Sequence, residues 1–102
     1  MKKEFKNFEE FYPYYIDEHK SKFNKLLHFI GTTIFFICMI IFISSFEPKY
    51  IFYGFLSGYA WAWIGHFFIE KNKPATFYFP LYSLRGDWRM YKEIVQGKHA
   101  II

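Results

Sequence analysis

His66 and Glu70 stand four residues apart where the longest apolar run ends, in Gly65-His66-Phe67-Phe68-Ile69-Glu70-Lys71-Asn72-Lys73-Pro74-Ala75. On a helix both point from one face, a spacing suited to a shared metal ion or to a histidine-carboxylate pair. Pro74 disfavours a helical conformation at Lys73, so the helix is expected to stop just beyond its polar pair. Two further histidines, His19 and His28, lie nine residues apart ahead of the first apolar run. On one continuous helix they would face opposite ways and could not share a ligand. Ser21 is a good N-cap, so a break near Lys20-Ser21 is predicted, with one helix ending at His19 and a second beginning afterwards. Within that second helix Asn24, His28 and Thr32 form a polar stripe at spacing four.

The elements that carry these residues follow from the apolar pattern. Two uncharged runs, Phe29 to Phe46 and Tyr50 to Ile69, contain 18 and 20 residues, close to the roughly 20 that cross a bilayer as helix. A chain of 102 residues, 53% hydrophobic and 26% aromatic, has too little polar sequence to cover two such helices on all sides. The predicted fold is therefore all-α: an integral membrane helical hairpin of two transmembrane helices, with flanking interfacial amphipathic helices. Residues 1–102 form one membrane domain, divided into an interfacial segment 1–20, a first spanning helix 21–46, a second spanning helix 50–72 and an interfacial C-terminal segment 76–97. Six lysines precede the first span, Lys49 stands alone in the connection and six basic residues follow the second. The positive-inside rule then puts both termini in the cytoplasm and Glu47-Pro48-Lys49 outside. These basic residues flank apolar spans and do not line one polar face, which argues against a nucleic-acid partner. Cys38, the lone cysteine, falls inside the first span and is expected to be a small embedded side chain.

Asn7 with Glu10 fits a helix start, and Phe5, Phe8, Tyr12, Tyr15 and His19 make an aromatic stripe, although Pro13 is expected to kink or restart the helix. Those rings are placed at the headgroup level of the membrane. In the second span Gly54, Gly58, Ala62, His66 and Glu70 recur at spacing four, so another helix is expected to approach along the small residues, and a homo-oligomer formed through Gly54, Gly58 and Ala62 is one way to supply it. Beyond Pro74 an aromatic segment is followed by a helix from Arg85, with Leu84, Trp88, Tyr91 and Val95 on one side and Gly97 ending it. The Arg85-Gly86-Asp87 triplet reads as ordinary helix surface, and His99 lies in the tail beyond any ligand set.

Depth brings the polar groups together. The connection at Pro48 makes the spans antiparallel, and His28 and His66 both lie about 27–30 Å from it at 1.5 Å per residue. They meet near one membrane face, and His19 can fold back to that level. His19, His28, His66 and Glu70 are thus the candidate site residues.

The two motifs, His19-x4-Asn24-x3-His28-x2-Gly31 and Gly65-His66-x3-Glu70-Lys71-x2-Pro74-Ala75, together resemble the membrane family of 2-hydroxy fatty acid dioxygenases, in a small bacterial-type form. The family's fungal enzyme acts in the conversion of phytosphingosine to odd-numbered fatty acids. The resemblance implies that His19, His28 and His66 bind Fe(2+), which with dioxygen removes the carboxyl carbon of a 2-hydroxy fatty acid. It implies Glu70 either as the carboxylate ligand or as an outer acceptor that fixes a histidine tautomer, with Asn24 and Asn72 supporting the ligands from behind. A membrane lipid or 2-hydroxy fatty acid and dioxygen are the implied partners, and the bacterial inner membrane the implied location. The fungal enzyme has two additional spans between its histidine motifs, so here the lipid must enter sideways from the bilayer or several protomers must build the cavity. Two alternatives stay open: a non-catalytic oligomeric membrane protein with a structural histidine network, and haem held by His28 and His66 as axial ligands. No nucleotide-binding loop, Cys-x-x-Cys pair or nucleophile elbow occurs in the sequence.

Overall fold

The computed structural model describes residues 5–101; the first four residues of the interfacial segment expected over 1–20 lie outside them. Among the described residues every regular element is helical: α1 (Phe8–Asp17), α2 (Lys22–Ser45), α3 (Lys49–Ile64), a π-helical segment (Gly65–Glu70), a 3-10 turn (Ala75–Phe77) and α4 (Pro80–Val95). α2 is long and apolar enough to cross a membrane. The 16 residues of α3 run directly into the six of the π segment, so the return helix is continuous to Glu70 although it changes hydrogen-bond pattern.

Local signals set the boundaries. Asn7 Oδ1 accepts the Glu10 N–H at 2.9 Å and starts α1. Pro13 lies inside α1 without ending it, so the helix does not restart there. Pro13 is exposed, so the backbone bond its ring removes is one that solvent can replace. Ser21 Oγ accepts the Phe23 N–H at 3.1 Å, which breaks the chain between His19 and His28 and opens α2. α2 closes on Phe46 in the left-handed conformation. α4 starts at Pro80, earlier than Arg85, because proline is well suited to the first helical turn. It ends before Gly97, whose φ of +82° supplies the left-handed stop.

Two packed units result, and their surfaces differ. α2 and α3 lie antiparallel, with Ile37, Ile40, Ile43, Phe52 and Leu56 all exposed. Such a belt suits hydrocarbon and not water. α1 packs on α4, and here the aromatic stripe is core: Phe8, Phe11, Tyr12 and Tyr15 are buried with Met90 and Ile94. The headgroup placement of that stripe is thus corrected, because α4 offers it a closely fitting apolar face. Arg85 covers Phe8, and Arg89 covers Tyr12 with its guanidinium 4.1 Å from the ring centre.

α4 also uses a different face from the one its pattern suggested. Ser83, Gly86, Met90 and Ile94 are buried, while Trp88 and Val95 are exposed. The ring of Tyr15 lies against Gly86 where no Cβ intervenes. Tyr91 turns to α2, stacking on Phe29 at 4.9 Å and sharing a hydrogen bond with Thr33 at 2.9 Å. α4 is therefore the bridge between the two units.

The small-residue stripe of α3 does not act as one face. A Cβ on Gly54 would meet Met39, Phe35 and Cys38 of α2, and Ala62 is buried, so both are covered by the chain itself. Gly58 has open space where its side chain would be. A close approach is made from the other side, by Gly31 of α2, against Trp61 and the carbonyls of Ser57 and Gly58.

Candidate metal centre

Each histidine reaches the centre from a different segment. His19 follows α1 and is held by the tight turn before Ser21, with its N–H bonded to the Ile16 carbonyl at 3.0 Å. His28 sits in the second turn of α2, one turn after Asn24. His66 is the second residue of the π segment, a geometry often found at functional sites. All three are almost wholly buried, at 0%, 5% and 2% exposure. One ring nitrogen from each lies within 4.8 Å of the other two.

The outer nitrogens fix what the inner ones present. His19 Nδ1 donates to the Tyr15 carbonyl at 2.6 Å and His28 Nδ1 to the Asn24 carbonyl at 3.0 Å. Carbonyls only accept, so both Nδ1 atoms carry the proton. At His66 the same conclusion takes one more step. Asn72 Nδ2 donates to the Glu18 carbonyl at 3.1 Å, which turns Asn72 Oδ1 toward His66 Nδ1 at 2.8 Å. In the neutral rings each Nε2 is then a bare lone pair.

Those lone pairs face one another. His19 Nε2 and His28 Nε2 stand 3.0 Å apart, with neither able to donate to the other while both rings are neutral. A proton shared between them is disfavoured: burial, with the nearby His28 and His66 rings, holds His19 well below the ordinary imidazole range. A metal cation suits the arrangement, since two nitrogens about 2.1 Å from one ion and at right angles to each other are separated by about 3 Å. The donor set fits a divalent transition metal with positions left open. It does not fit haem. The His28 and His66 rings are only 5.1 Å apart with His19 against both, which leaves no slot for a porphyrin between them.

Glu70 is turned elsewhere. Its Oε2 accepts the Ser21 N–H at 2.7 Å and Asn24 Nδ2 at 3.2 Å. It thereby ties the π segment to the first turn of α2 and steadies the residue whose carbonyl orients His28. Asn24 Oδ1, buried against Gly65, has no hydrogen-bond partner among the described residues. A Cβ at Gly65 would collide with this side chain, so glycine is needed immediately before His66. His99 stands apart, bonded to Glu93 at 2.8 Å. Glu93 also accepts from Tyr12 and Arg89, and these partners bring its carboxyl down to about 2 against the cost of burial.

A cleft open to the outside, with about 40 Å3 of enclosed space, lies beside His28 between α2, α3 and α4. Its inner end carries His28 and Asp87, and it continues past Thr32 and Gly58 to Phe35 and Phe55. A smaller cavity on the other side of His28 reaches His66 and is also lined by Asp87. Asp87 accepts a short hydrogen bond from the Tyr15 hydroxyl, and the Tyr15 ring stacks on His19 at 4.1 Å. Sequence reasoning placed Asp87 on the helix surface. Its polar neighbours on α4 conceal that the buried face of that helix begins at Gly86.

Burial raises the Asp87 carboxyl to about 7, against the lowering influence of the Tyr15 hydroxyl. The unfolded group loses its proton near 3.8 and the folded one near 7. Its contribution to stability is therefore fully present below the lower value, declines as pH rises between the two and is constant above. Asp87→Asn is expected to remove this slope. The melting temperature of the variant should gain on wild type from pH 4.5 to 7 and hold a fixed offset beyond. A uniform offset over the whole range would show that Asp87 is ordinarily ionised.

The description 2-hydroxy-palmitic acid dioxygenase Mpo1-like belongs to a family model that matches residues 5–99. Neither the curated proteins nor the solved structures contain a match to the chain. The matched segment includes all three converging histidines and both asparagines that brace them, and the chain belongs to the Mpo1-like family of 2-hydroxy-palmitic acid dioxygenases.

Proposed function

We propose that the protein is a membrane-embedded, iron(II)-dependent dioxygenase that shortens a long-chain 2-hydroxy fatty acid by one carbon. The observation that carries this reading is the convergence of three buried imidazole nitrogens, each bared by a hydrogen bond on the far side of its ring, at the polar end of an apolar cleft. Ferrous iron held there would supply dioxygen activation for oxidative cleavage of the bond between the carboxyl carbon and C2, in which one hydroxy acid and one O2 give the shorter acid, carbon dioxide and water.

The chain's own residues do the rest. The Tyr15 and Asn24 carbonyls and the Asn72 side chain hold the three rings in one tautomer and at one angle, so little reorganisation is needed on binding. Three protein ligands leave room for substrate and dioxygen together. Glu70 is the clamp behind this set, acting through Ser21 and Asn24. The apolar walls of the cleft, among them Phe35 and Phe55, exclude water from the reacting end and accept the acyl chain. α2 and the continuous α3-π helix both cross the bilayer in this reading. The basic flanks keep both termini on the cytoplasmic side, and the cleft admits its lipid laterally.

Purification under argon followed by elemental analysis tests the metal, with about one iron per chain expected. Adding 2-hydroxypalmitic acid and oxygen then tests the reaction, with an acid one carbon shorter as product. A chain that takes up no ferrous ion on reconstitution overturns the whole proposal. Full iron without turnover overturns the substrate and leaves the metal centre standing.

A further inference from the structure

Asp87 is the one carboxylate that borders both cavities at His28. Its environment is unusual for an acid on a helix near a membrane. The Tyr15 hydroxyl donates to Oδ1, and no other hydrogen bond to Asp87 occurs among the described residues. Tyr15 is itself fully buried, stacked on His19 and fixed by Gly86, so the carboxylate is aimed by a rigid neighbour. Among the described residues no lysine or arginine lines either cavity, and Thr32, Tyr59 and Trp88 beside it in the larger one are uncharged. A buried carboxylate with one oxygen engaged keeps acceptor capacity on the other, and a hydroxyl donor in the cleft can satisfy it.

We propose that Asp87, positioned by Tyr15, selects hydroxylated chains by accepting a hydrogen bond from the 2-hydroxyl of the substrate. This role rests on the function proposed above. The placement is chemically consistent with a ligand whose carboxylate is drawn to the metal centre and whose neighbouring carbon is turned toward Asp87. A hydroxyl on the neighbouring carbon can donate to the free Asp87 oxygen, which keeps acceptor capacity in either protonation state. The apolar remainder of the cleft treats hydroxylated and plain chains alike, so the preference depends on this one contact. Asp87 is thus a specificity residue, while depth along Thr32, Gly58 and Phe55 accommodates the chain.

The test is equilibrium binding to the ferrous protein under argon, where no turnover occurs. 2-Hydroxypalmitic acid and palmitic acid are each titrated in competition with a brominated palmitic acid that quenches tryptophan fluorescence. Wild type is expected to prefer the hydroxy acid, and Asp87→Leu to lose up to about tenfold of that preference, the size of a single hydrogen bond. Palmitic acid itself should bind the variant as before. The single variant leaves the Tyr15 hydroxyl without its acceptor and can weaken the fold. The double variant Tyr15→Phe Asp87→Leu removes both polar partners, and it should show the same selective loss with iron content unchanged. A merely structural role would weaken both acids together. Retention of the wild-type preference in either folded variant overturns the assignment of Asp87 alone, whereas a wild-type protein that binds neither acid overturns the substrate reading and this inference with it.

Discussion

On the function proposed above, alanine in place of His19, His28 or His66 is expected to leave less than about a tenth of the wild-type iron after purification under argon, with activity lost in proportion. Each substitution deletes one of three nitrogens and nothing nearby can replace it, because Glu70 is engaged with Ser21 and Asn24 and His99 with Glu93. His99→Ala should keep its iron. Asn72→Ala is the subtler member of the series: it frees His66 Nδ1 from its acceptor, and a loss of about 10–100-fold in metal affinity is the usual effect of removing such a partner. Iron retained at wild-type levels in a His28→Ala His66→Ala double variant would remove the site altogether.

Gly31→Leu should have the largest effect on stability. Even a Cβ at this position would stand 2.9 Å from Trp61 Cβ and 3.2 Å from the Ser57 carbonyl. Backbone cannot yield as a side chain tip can, so α2 and α3 must move apart. Overpacking of this kind costs about 1–3 kcal/mol for smaller insertions, and a leucine at a backbone contact is expected to exceed the upper figure. His28 lies one turn before Gly31, and α3 leads directly to His66, so separation of the helices also pulls two ligands apart. Thermal stability and iron content should fall together. Gly58→Leu is the control, since its side chain would enter open space. Iron and melting temperature should be retained there while the cleft is filled. Equal loss of stability in both variants would mean that the helices do not cross at Gly31.

Much of the site was legible because its logic is local. The Ser21 cap required a break between His19 and His28, and antiparallel helices with a turn at Pro48 required His28 and His66 to lie at the same end of the pair. Those two inferences suffice to bring three histidines together. What could not be read was partner choice between helices. The stripe through Phe8, Tyr12 and Tyr15 has the composition of a membrane-interface face and of a protein core alike, and only the fit of α4 decides between them. The same ambiguity moved the buried face of α4 onto Leu84, Trp88 and Val95, which concealed Asp87. Gly54, Gly58 and Ala62 illustrate the limit for small residues: periodicity shows that a close approach is possible, but one member packs on α2 and another borders empty space. The π geometry at Gly65–Glu70 has no distinct sequence period, and it emerged only with the return helix in place.

The three histidines belong to three separately held pieces of the chain, so one bound ion fastens the end of α1, the start of α2 and the end of the return helix to each other. Ligation and folding are then two descriptions of one equilibrium. With iron scarce, the facing lone pairs of His19 and His28 would push the α1 arm outward, and the aromatic face it buries against α4 would become accessible to proteases. If the ion is the iron of the proposed function, its supply would therefore set how long each copy of the protein survives.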